Sequence, residues 1–236
     1  MKMYKLDLKK NAKKINSVND WKAFAPPKNP NIQWKDGRSA KELANYIING
    51  NGYIPKEIEE ILLDLGCNTN SIFYGEPEAI TSLVGKGGGR NHDLLLVQEN
   101  EVVVGIEAKS DESLGNIVYK ELFNDISDNK FTRINSLYND IYGYDLREKM
   151  NIRYQLLTAT AGILKEAQKF KVSKAVLIIL TLKKENCYDR RKVESNIQDV
   201  NIFINSLGSP LKNGPYNLPG YPNIDFYIKH IELDIK

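Results

Sequence analysis

Two short apolar runs, "DLLLVQ" from Asp93 and "EVVVGIEAK" from Glu101, meet across a polar turn, and no other feature limits the fold as tightly. Both runs have strand length and are rich in aliphatic residues, so together they read as a β-hairpin. With Glu99, Asn100 and Glu101 as the loop, Asp93 stands directly opposite Glu107, at a Cβ separation of about 5 Å and on the same face. A two-residue loop would shift the pairing by one and spoil this match. Lys109 shares the face of Glu107, because side chains alternate along a strand. The opposite face is Val102, Val104, Ile106 and Ala108, which suits a core, so the charged side is expected to line a cleft.

Two carboxylates at that separation repel unless a positive charge lies between them, and a hard divalent cation with oxygen ligands is the usual remedy. Lys109 beside such an ion can hold an attacking water and stabilise charge developing on a phosphate. The plainer alternative treats Asp93 as a strand cap and Glu107 and Lys109 as a weakly paired, wet strand face. That alternative leaves the matched register and the apolar opposite face as coincidences.

The remaining inventory excludes other chemistries. Cys67 and Cys187 are the only cysteines and His92 and His230 the only histidines, too few soft ligands for a zinc site or a disulfide scaffold. The longest apolar run, "KAVLIILTL" from Lys174, falls far short of the roughly 18 residues needed to span a bilayer. The basic N-terminus "MKMYKLDLKKNAKKIN" has no apolar core of the secretory kind, so a cytoplasmic location without a membrane partner is expected. A net charge of +3 says little about partners. The local clusters "KKNAKK", "GKGGGR" and "KKENCYDRRK" are compatible with a phosphate-binding face and equally with solvated surface.

At 236 residues one domain is expected, with an N-terminal helical portion over 1–70 and a core over 71–236. The first 33 residues look irregular. Helices are expected from Ser39 to about Ile48, over "PKEIEEILLDLG" with Pro55 and Gly66 as start and stop, over "DNKFTRINSLYNDIYG", and over "VESNIQDVNIFINSLG". In "LREKMNIRYQLLTATAGILKEAQKF", the residues Ile152, Leu156, Ala159, Ile163 and Ala167 recur at helical spacing. "KAVLIILTL" reads as a strand buried on both faces, and "NIDFYIKHIELDI" as a final strand. This order predicts an α/β fold, a mixed sheet flanked by helices.

Asp93, thirteen intervening residues, and then "EAK" at Glu107 to Lys109 resemble the signature of the PD-(D/E)xK nuclease superfamily. "WKDGRSAKELA", "GKGGGRNHDLLL" and "RYQLLTATAGILKEA" also resemble uncharacterised bacterial proteins assigned to it. The resemblance implies a restriction-endonuclease-like central sheet and a metal-dependent DNA endonuclease of the restriction or anti-phage defence kind. It implies Mg²⁺, with Mn²⁺ able to substitute, held by Asp93, Glu107 and the Ala108 carbonyl, with Lys109 positioning the water. A further upstream acid is implied, Glu78 in preference to Glu76. Gln155 would support the metal-bound acid, and Arg153 would touch a phosphate. His92 stands where the strict motif has proline, and Ala159 stands where exonuclease members carry tyrosine, which weighs against an exonuclease. Restriction-type cutters commonly dimerise, so a homodimer on DNA is the expected assembly.

"GKGGGR" does not match a P-loop, since no GK[ST] follows. It is either a flexible loop or a phosphate contact in which Lys86 and Arg90 touch the nucleic-acid backbone. Tyr138, Tyr142 and Tyr144 could stack on bases, but with thirteen tyrosines in the chain packing is the default. The competing class is a catalytically silent member of the same fold that binds nucleic acid or protein.

Overall fold

The computed structural model describes residues 4–85, 88–124, 127–144, 150–185, 187–208 and 215–235. Among these, seven strands form one mixed sheet with helices on both faces, the α/β architecture expected. The strands are β1 (Leu6–Lys10), β2 (Lys13–Lys14), β3 (Phe73–Thr81), β4 (Arg90–Gln98), β5 (Val102–Lys109), β6 (Lys174–Lys184) and β7 (Asp225–Ile235). Their order across the sheet is β2-β1-β3-β4-β5-β6-β7. Pairs β3–β4 and β4–β5 are antiparallel, whereas β1–β3, β5–β6 and β6–β7 are parallel.

Parallel neighbours need crossover connections, and the chain supplies them as helices. Between β5 and β6 run α5 (Val118–Asn124), α6 (Asp128–Tyr142) and α7 (Tyr154–Phe170); between β6 and β7 runs α8 (Arg190–Ser206). β6 is continuous in apolar residues because both its edges are paired and both its faces are covered. On one side, Val102, Val104, Ile106 and Ala108 pack with residues of α3 (Ser39–Ile48) and α4 (Lys56–Asp64). On the other, Val103 packs with the apolar stripe of α7.

The start of the chain departs from the irregular segment expected. It contains β1, β2, α1 (Val18–Phe24) and α2 (Pro30–Gln33). The N-terminal portion is therefore not purely helical, and β1 extends the sheet by pairing Leu6, Asp7 and Leu8 with Phe73, Tyr74 and Gly75. Short strands of alternating polar residues such as "LDLKK" carry little signal, and here tertiary pairing decides.

The long helix begins at Tyr154 rather than near Leu146; residues 145–149 lie outside those described. Ile152 fits the helical spacing yet lies before the helix. Its carbonyl accepts the Val118 N–H at 2.9 Å, and Arg153 bridges to Ile117. That local pairing competes with the first helical turn and wins.

Close packing of α7 on the sheet depends on two glycines. A Cβ on Gly105 would run into Ile163, and one on Gly162 would stand 2.7 Å from His92 Cε1 and 3.1 Å from Arg90 Cγ. Glycine is costly inside a helix or strand, so both positions mark a contact that admits no side chain.

Candidate active site

The hairpin turns through Glu99, Asn100 and Glu101, with Asn100 at φ 61°, a left-handed conformation that asparagine tolerates. Pairing runs from Gln98↔Val102 to Leu94↔Ile106, the three-residue register expected. One step further the backbone ladder stops. In place of a strand carbonyl, Asp93 Oδ2 accepts the Ala108 N–H at 2.8 Å.

The ladder also breaks on the other side of Asp93. Pro77↔Leu94 and Ala79↔His92 are pairs of β3 and β4, but the step between them, Glu78 against Asp93, is missing. Glu78 has φ +50°, a region that is strained for a residue other than glycine. Its carbonyl accepts from Lys10 Nζ at 2.7 Å, and its carboxylate accepts from Asn91 Nδ2. The two breaks open the sheet around Asp93 while β5 stays paired to β6 through Lys109.

Charges collect at this opening. Glu107 is 1% exposed and Lys109 6%, so the charged face lies under α7 and does not line the open cleft expected. Strand alternation sets which face a residue takes, not what covers it. Glu107 Oε1 accepts from Lys109 Nζ at 2.5 Å and from Gln155 Nε2 at 2.6 Å. Glu107 Oε2 is ion-paired to Arg90. Burial, and next the positive Arg90, lower the Lys109 ammonium from its ordinary pKa, while Asp93 and Glu112 oppose the shift. Burial and then the nearby Asp93 push the Glu78 carboxyl up to about 7, against the pull of Asn91, Lys10 and Arg90.

The residues singled out in the sequence sort into three groups. Asp93, Glu107, Ala108, Lys109 and Gln155 come together. Glu78 stands beside Asp93 on β3, whereas Glu76 pairs with Lys10 at 2.9 Å and is half exposed. The basic residues do not form the exposed backbone-binding surface expected. Arg90, a candidate backbone contact, turns inward to Glu107 because it opens β4 next to α7. Arg153 donates to the Gly115 carbonyl at 2.6 Å and pairs with Asp199 at 2.7 Å, so it ties the β5–α5 loop to α8. Lys86 lies outside the described residues.

Tyr138 is fully buried, as packing requires. "WKDGRSAKELA" lies against the loop that follows Lys109: Arg38 pairs with Asp111 at 2.9 Å and Ser39 Oγ donates to Glu112 at 2.9 Å. A buried triad had no role in the sequence expectation. Thr81 Oγ1 donates to Glu166 at 2.7 Å, so toward His92 Nε2, 3.0 Å away, it accepts. Its sequence signal is the pair Gly162 and Glu166 inside one amphipathic helix.

The family model described as a domain of unknown function, DUF6946, matches residues 14–234. The chain belongs to the DUF6946 family. No curated protein and no solved structure matches it. The DUF6946 span takes in every residue of the site, from Glu78 on β3 to Gln155 on α7.

The donor set of this DUF6946 site suits a hard cation: two carboxylates and a backbone carbonyl, with oxygen throughout. Among the described residues, buried Glu107 Oε2 has no hydrogen-bond donor beyond the Arg90 ion pair, which leaves an oxygen with capacity for a cation. Among the described residues no three His, Cys, Asp or Glu side chains gather as a ready-made cage. Asp93, Glu107 and the Ala108 carbonyl would be the holders. No helix of the described residues is long and apolar enough to cross a membrane.

Proposed function

We propose that this chain is a metal-dependent nuclease that hydrolyses phosphodiester bonds in DNA, an endonuclease of the restriction or defence kind. The observation that carries this reading is the double break in the sheet ladder around Asp93, which brings its carboxylate to the Ala108 N–H beside Glu107 and Lys109. Strain and missing backbone pairs concentrate where a side chain must be aimed. The likeness of Asp93 and Glu107-Ala108-Lys109 to the PD-(D/E)xK signature supports the same reading.

Water adds across a phosphorus–oxygen bond, leaving a phosphomonoester on one end and a hydroxyl on the other. Mg²⁺ would supply an acidified water and charge neutralisation on the phosphate. The chain supplies orientation. Asp93 is aimed by the Ala108 amide, and the Glu107 rotamer is fixed by Gln155 and Lys109. Lys109, its proton loosened by burial, holds the attacking water and stabilises the anionic transition state. Two copies of the chain would cut both strands of a duplex.

One observation favours a second reading: Arg90 and Lys109 already neutralise Glu107, as a silent binding module would require. The deciding experiment incubates plasmid DNA with wild type and Glu107→Ala, with Mg²⁺ and with chelator. Mg²⁺-dependent nicking by wild type alone supports the nuclease. Intact plasmid in every lane, with no Mg²⁺ or Mn²⁺ protection in thermal unfolding, supports the silent module.

A further inference from the structure

Arg90 opens β4 three residues before Asp93, and its side chain is 10% exposed. A guanidinium carries five N–H donors and is seldom buried without partners for them. Here one nitrogen meets Glu107 Oε2, while the buried Nε has no hydrogen-bond partner among the described residues. The surroundings make room for it nonetheless. Gly162 leaves the space through which the Arg90 stem passes, since a Cβ there would lie 3.1 Å from its Cγ. A helix-interior glycine lowers helix stability, so the room is kept in spite of its cost.

The two oxygens of Glu107 differ. Among the described residues, Oε1 holds Lys109 and Gln155, whereas Oε2 holds Arg90 alone. A cation can reach this carboxylate only at Oε2, and it cannot share that oxygen with a guanidinium in contact, because like charges at that distance repel strongly in a buried site. Without an added ion, the carboxylates of Glu78, Asp93 and Glu107 are met by Arg90 and Lys109, with Lys10 also acting on Glu78. A divalent ion adds two positive charges to a site that is already near balance, so a cation in contact with Glu107 has to leave.

We propose that Arg90 is the internal counter-ion of Glu107 that a divalent metal must displace, and that displacement frees its guanidinium for a phosphate of the substrate. This rests on the metal-dependent reading above and adds to it an order of events. Metal entry unseats Arg90, and the unseated guanidinium then faces an anion. The metal-free protein is self-neutralised and a poor binder of phosphate at this point; the metal-loaded protein is a good one.

The test uses the full chain and Mn²⁺ alone, followed by titration calorimetry. Arg90→Gln removes the competing charge and is expected to bind Mn²⁺ about tenfold tighter or more. Arg90→Lys keeps a positive charge and stays within about threefold of wild type. A folded Arg90→Gln protein that binds Mn²⁺ no tighter than wild type overturns the counter-ion role. If Arg90→Gln does not fold, the Arg90 guanidinium signal in nitrogen NMR of the wild type decides. It must shift on Mg²⁺ saturation, and a signal unmoved at saturation overturns the role. Absence of any Mn²⁺ isotherm at millimolar metal in wild type and both variants is a separate result, which sinks the metal-dependent reading itself.

Discussion

Asp93 Oδ2 accepts the backbone N–H of Ala108 at 2.8 Å, where a carbonyl of β4 would stand if the ladder continued. One carboxylate thus closes a sheet defect and stands at the centre of a charged site. Asp93→Ala strands a buried amide and lowers the unfolding free energy by about 1–3 kcal/mol in urea denaturation. Asp93→Asn keeps an oxygen acceptor for Ala108 and recovers most of that stability, while losing the charge that cation binding requires. Equal destabilisation by both variants would contradict this division of roles.

Glu107 neutralises two buried cations at once. Breaking a buried ion cluster by removing one partner is costly, so Glu107→Gln lowers metal-free stability by about 3–5 kcal/mol. Adding Arg90→Met to Glu107→Gln removes one of the stranded charges and returns part of the loss. A double-mutant cycle in chemical denaturation measures the coupling; purely additive effects would show that the pair is not coupled.

Gly162 lies inside α7, where alanine is ordinarily the better residue. Here a Cβ meets His92 at 2.7 Å and Arg90 at 3.1 Å, so Gly162→Ala destabilises by about 1–3 kcal/mol in spite of the helical gain. A melting temperature raised by this substitution would show that α7 does not press on the sheet as described.

His92 sets a pH dependence. Burial, and next the Arg90 guanidinium, push its imidazole from the ordinary 6.5 down to about 3, so it is neutral in the folded protein. A base with a depressed folded pKa contributes stability that is complete above the unfolded value and lost as pH falls toward the folded one. The loss approaches about 1.4 kcal/mol per pH unit between roughly pH 6.5 and 4. Metal-free unfolding followed across that window is therefore steeper in wild type than in His92→Asn, and parallel slopes would contradict the buried neutral imidazole.

The hairpin was legible because loop length and alternation fix register together, and from register follow Asp93, Glu107 and Lys109. Gln155 was expected only from the resemblance, and it reaches Glu107 at 2.6 Å. Alternation states only that Glu107 and Val103 share a face; that α7 seals this face is a tertiary fact. Arg90 and Arg153 looked like surface cations because charge carries no direction in a sequence, yet both are consumed by internal ion pairs. β1 was missed because a five-residue strand of mixed polarity becomes a strand only by pairing with β3.

Lys109 carries the chemical claim most directly, since no sheet pairing depends on its side chain. The deciding measurement is cleavage of a supercoiled plasmid with Mg²⁺ by Lys109→Ala beside wild type, with DNA binding measured on the same preparations. The account predicts loss of cleavage by about 10³-fold or more with binding retained. Undiminished cleavage by Lys109→Ala, or a folded wild type that cuts no DNA with Mg²⁺ or Mn²⁺, would contradict it.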